Sequence, residues 1–123
     1  MYSKDLNLIQ IKISDLRFAT HFDSKSTSDI ISDIKVPLPW NSLESLTENK
    51  YSKASDIWSF GVIMWEIFTD GQIPYQSEFD ISDYLIAENK RLVLPDSCPP
   101  KVSELIQKCW EKDPKQRYLF SKF

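Results

Sequence analysis

Few side chains in this sequence are suited to chemistry by type and spacing. Two cysteines, Cys98 and Cys109, and a single histidine, His21, are too few and too dispersed to hold zinc. Cys109 falls on an apolar helical stripe and reads as a buried free thiol rather than half of a disulfide. Phosphate binding by a backbone cradle needs several glycines within one short turn. The 123 residues contain two, Gly61 and Gly71, so they form no self-contained P-loop or dinucleotide site. Fifteen basic against 18 acidic residues leave a net charge of −3, with no footprint for nucleic acid or an anionic membrane.

The elements that must position any site follow from periodicity. Residues 57–68, IWSFGVIMWEIF, are too short for a membrane span and apolar around most of the circumference, which predicts a helix buried on all sides. Ser52 is placed to cap it, and Asp70-Gly71 to stop it. Val102, Leu105, Ile106, Cys109 and Trp110 follow the i, i+3, i+4, i+7, i+8 template of a second helix, opened by Pro99-Pro100 and closed by Asp113-Pro114. Phe79 to Asn89 has helical spacing, with Ser77 and Asp80 as a capping pair. Asn41 to Leu46 predicts a short helical turn.

Residues 7–14 alternate apolar and polar and predict a strand. Thr20 to Asp33 is a polar stretch that reads as an exposed loop, and Pro37 and Pro39 hold the chain extended up to Trp40. The N-terminus has no basic-then-apolar leader pattern, and the composition fits a reducing, cytosolic setting. The fold class expected is mainly α.

Read in order, IKISD, VPLPWNSLES, SDIWSFGVIMWEIF, PY, RLVLP, CP, LIQKCWEKDP and QR-x-x-F resemble the C-terminal lobe of a eukaryotic protein kinase. Trp40 and Cys109-Trp110 are most similar to tyrosine kinases and their tyrosine-kinase-like relatives. The resemblance implies a partial kinase domain over 1–123, cut at both ends. Residues 1–14 would form the strand region, 15–44 an activation segment, and 45–123 a helical lobe whose last helix is truncated.

It also implies residue roles. Asp15 matches the Asp of Asp-Phe-Gly that holds Mg2+ against ATP phosphates. Here the motif reads Asp15-Leu16-Arg17, and Arg in place of Gly restricts the backbone and adds a charge beside the metal. Asp15 as the plain end of a strand is the other reading. Glu44 ends an activation-segment-like stretch and would pair with Arg117 as a buried staple; solvated charges are the alternative. Asp56 would accept amides of a catalytic loop, with Trp58 packed beside it. Pro37, Leu38, Pro39 and Trp40 would form the substrate-side segment.

No tyrosine lies between Asp15 and Glu44, so a loop phosphotyrosine switch is absent; Ser24, Ser26, Thr27, Ser28 and Ser32 are possible phosphate acceptors in an ordinary polar loop. The glycine-rich loop, the strand lysine and the His-Arg-Asp catalytic loop are not in these residues, so no catalytic residue is intact. The family transfers the ATP γ-phosphate to protein Tyr or Ser/Thr using Mg2+. This chain alone is expected to be inactive and to need neither cofactor. The alternatives are a pseudokinase-type interaction module, or an incomplete gene model of an active tyrosine kinase. Protein partners are expected, and the setting is cytoplasmic, including the cytoplasmic part of a receptor.

Overall fold

A computed structural model describes residues 11–19, 28–29, 37–76, 81–86 and 89–118. Those residues are mainly helical. In chain order they form β1 (Ser28–Asp29), α1 (Leu43–Glu48), β2 (Lys50–Tyr51), α2 (Lys53–Phe68), α3 (Ile81–Ile86) and α4 (Pro100–Cys109), with three short 3-10 turns at 16–18, 38–40 and 114–116. β1 and β2 pair antiparallel, Ser28 opposite Tyr51 and Asp29 opposite Lys50.

α2 starts where its first amides find side-chain acceptors. The Ser52 hydroxyl accepts from the Ala54 and Ser55 amides at 3.2 and 3.3 Å, and the Ser55 hydroxyl accepts from the Ser52 amide at 2.8 Å. The helix stops where Asp70 and Gly71 turn left-handed, at φ 55° and 80°, and the Gly71 amide reaches the Glu66 carbonyl at 2.8 Å. α4 opens on Pro100, with the Pro99 carbonyl accepting from Val102 and Ser103. α1 is capped by Ser42 and ended by Asn49 at φ 52°.

α2 and α4 pack closely because Gly61 has no side chain. A Cβ there would stand 2.8 Å from both Cys109 Cβ and Trp110 Nε1. Around this contact one core gathers Ile57, Trp58, Val62, Met64, Trp65, Tyr75, Leu85, Ile106, Cys109 and Trp110.

Three expectations need correction. α2 is not buried all round: Ile63 and Ile67 are 47% and 67% exposed. Packing reaches the helix mainly on the Gly61 side, and on the flank of Ile63 and Ile67 Trp40 engages Ser59 and Glu66 while the two isoleucines stay open to solvent. The N-terminal strand does not form over 11–14, where Ile11 and Ile13 are 94% and 90% exposed. Alternation alone makes no strand without a neighbour to complete the ladder. The polar stretch 20–33 is not wholly loop, since residues 28–29 are a strand; the remainder lies outside the described residues. So do the Ser77–Asp80 capping pair and the N-terminal residues 1–10.

Candidate functional site

Arg117 follows α4 and the 3-10 turn at Pro114–Gln116, a turn set by the Asp113 carboxylate accepting the Lys115 amide at 2.9 Å. The turn delivers Arg117 into the core, where it is 5% exposed. Its guanidinium donates to both Glu44 oxygens at 2.7 and 2.8 Å. It also donates to the carbonyls of Ala54 and Glu111, at 3.0 and 2.9 Å. One side chain thus ties α1, the start of α2 and the chain after α4. Burial alone would raise the Glu44 carboxyl, but the hydrogen bonds and charge of Arg117 outweigh it and hold Glu44 below its ordinary value.

Trp58 is the floor of this cluster. Its indole is fully buried, with two guanidiniums, those of Arg91 and Arg117, each 5.0 Å from the ring centroid. Arg91 reaches that place by donating from Nε to the Trp110 carbonyl at 3.0 Å and from Nη1 to the Lys90 carbonyl at 2.8 Å. Burial lowers the Arg91 pKa. Sequence reasoning did not single out Arg91, because nothing in the order of residues brings RLVLP onto the Trp58 ring.

The Pro37–Trp40 segment sits on the other side of α2. The Trp40 indole donates to Glu66 Oε2 at 2.9 Å, and the Ser59 hydroxyl donates to the Trp40 carbonyl at 2.8 Å. Asn41 folds back to the Pro37 carbonyl at 3.0 Å. With the backbone so held, Leu38 stays 52% exposed. Glu66 is the second residue that sequence reasoning passed over. A carboxylate among the large apolar side chains of α2 was the signal, since it needs a donor.

Asp56 lies in the first turn of α2, where the helix dipole favours an acid. It is exposed, and its carboxylate accepts no hydrogen bond among the described residues. Desolvation by nearby chain raises its carboxyl above the ordinary aspartate value, while water screens the exposed side chain.

Asp15 stands apart from all of these. It is left-handed, at φ 60°, and precedes the 3-10 turn Leu16–Phe18 that contains Arg17. Arg17 therefore adopts helical backbone, and the unusual conformation falls on Asp15, a residue type that tolerates it. Arg17 donates from Nε to Asp15 Oδ1 at 2.6 Å and from Nη2 to Oδ2 at 2.8 Å. The guanidinium also lies 5.6 Å from the Phe18 ring. These bonds hold the Asp15 carboxyl below its ordinary value.

A cleft of about 490 Å³, lined by Trp65, Ile73, Tyr75, Tyr84 and Leu92, involves none of the expected site residues. Cys98 and Cys109 are both buried and free. Burial pushes the Cys109 thiol up to about 11, so it stays protonated and inert.

The protein tyrosine and serine/threonine kinase family model matches residues 5–123. The chain belongs to that family. It is 48% identical over 89 residues to tyrosine-protein kinase receptor TYRO3 of Rattus norvegicus, covering 71% of this chain and 10% of the relative. It is 44% identical over 88 residues to inactive tyrosine-protein kinase 7 of Mus musculus, covering 70% of this chain and 8% of the relative. The match to TYRO3 of Danio rerio is 46% over 88 residues. The matched stretch is thus about a tenth of the length of these curated relatives. The chain is a tyrosine-kinase-group segment, similar both to relatives named as kinases and to one named as inactive. No helix among the described residues is long and apolar enough to cross a membrane.

The family implies Mg2+ and ATP, and the described residues do not fit the Mg2+. Mg2+ takes an octahedron of oxygens, usually from one or two carboxylates with phosphates and water. Here one carboxylate is offered at the expected position, and both its oxygens already accept from Arg17. No group of three or more His, Cys, Asp or Glu side chains converges elsewhere among the described residues.

Proposed function

We propose that this kinase-family segment acts as a protein-binding platform and does not transfer phosphate by itself. The observation that carries the reading is the Pro37–Trp40 segment, whose indole and carbonyl are both anchored to α2 while Leu38 faces solvent. Anchored backbone with an exposed apolar side chain gives a peptide a surface whose order is already in place before binding. Phosphoryl transfer, in contrast, rests on positioning and charge neutralisation by several groups. Of those groups the described residues offer Asp15 alone. The platform needs no nucleotide and no Mg2+. Its partner is a protein, and two reduced, buried cysteines support a cytoplasmic setting.

The test uses a labelled tyrosine-containing peptide. Saturable binding followed by anisotropy, weakened by Leu38→Asp and by Trp40→Phe without loss of the cooperative melt, is the expected result. Phosphate incorporated from ATP and Mg2+ by this chain, and lost in Asp15→Ala, would overturn the reading.

A further inference from the structure

Asp15 and Arg17 form a closed unit three residues long. The carboxylate has one strong donor on each oxygen, and the same guanidinium rests against Phe18, the next residue along. We propose that Arg17 fills, as a cation tethered to the chain, the place beside Asp15 that a divalent metal takes in this family, so that the turn holds its shape without metal. The fork of a guanidinium matches a carboxylate edge in two parallel bonds. A metal ion on either oxygen competes with one of these bonds and sets a second positive charge beside the guanidinium. A single carboxylate gives little in exchange, because Mg2+ sheds its water reluctantly and ordinarily draws on further oxygens. Glycine at position 17 offers no such competition. The substitution Arg for Gly therefore changes what the turn can hold, beyond stiffening its backbone.

This inference is independent of the platform reading, and its test involves neither peptide nor phosphate transfer. Mn2+ serves as a paramagnetic probe for the divalent site in the 15N-labelled full chain. In the wild type, the amides of Asp15 to Phe18 should broaden no more than those beside the exposed acids Asp96 and Asp113. In Arg17→Gly and in Arg17→Gln, broadening should become selective for Asp15 to Phe18, and Asp15→Asn added to either variant should abolish it. Arg17 is 75% exposed, so neither change disturbs the core. Selective broadening of residues 15–18 in the wild type overturns the proposal. So does broadening that stays unselective in both variants.

Discussion

Two carboxylate–guanidinium pairs among the described residues have almost the same bond lengths and opposite settings. Asp15 and Arg17 meet at 2.6 and 2.8 Å, Glu44 and Arg117 at 2.7 and 2.8 Å. The first pair joins side chains that are 56% and 75% exposed; the second joins side chains that are 14% and 0% exposed. Water competes for every bond of the first pair, and salt screens it. The guanidinium of the second pair is cut off from water, and protein carbonyls accept from two of its three remaining donors. Bond length does not rank the two. What happens when one partner is removed does: an exposed charge is resolvated, whereas a buried one is stranded.

The largest break in this comparison comes from the buried pair. Glu44→Ala or Arg117→Ala should each cost about 3–5 kcal/mol in denaturant unfolding. The double variant should cost clearly less than the sum, because the second change strands nothing further. Additive losses would mean that the two side chains do not interact. Arg117→Lys should recover little, since an ammonium cannot make the fork. The pair also sets an acid limit. Folding depresses the Glu44 carboxyl below its ordinary 4.5. Its contribution is therefore complete above that value and fades as pH falls through the folded-state value. Acid unfolding of Glu44→Gln should show a shallower dependence on pH in that window than the wild type.

A change of intermediate size probes the packing that shelters the buried pair. Gly61→Ala places a methyl 2.8 Å from Cys109 and the Trp110 indole and should cost about 1–3 kcal/mol. A midpoint equal to that of the wild type would show that α4 can retreat freely from α2. The smallest effect belongs to the exposed pair. Arg17→Gln should leave the denaturation midpoint within experimental scatter. A clear destabilisation would erase the contrast between the two pairs.

The sequence makes some of this legible and hides the rest for physical reasons. α2 and α4 are readable because capping and periodicity are local properties, carried by Ser52 and by the Val102–Trp110 stripe. The Glu44–Arg117 contact spans most of the chain and has no local signature, so only resemblance to a family suggests it. The exposure of Ile63 and Ile67 escapes composition, because which flank is covered depends on where other elements pack. The approach of two guanidiniums to Trp58 escapes for the same reason: RLVLP announces no contact with an indole. Asp15 is the instructive case. Its residue type fits a metal ligand, but the 3-10 turn bends Arg17 back onto it, and a motif shows no such reversal of direction.

The reach of Arg117 also has a kinetic side. Its fork closes a loop of 73 residues and its bond to Ala54 one of 63, whereas the capping box of α2 joins residues three apart. Long closures cost chain entropy before they return any contact. The clasp should therefore form late, after α2 and α4 have found each other. In a chevron plot, Arg117→Ala should lift the unfolding limb and leave the refolding limb nearly in place. In the native state Arg117 then works as a latch on escape: it hardly speeds arrival, and it sets how long the folded chain lasts.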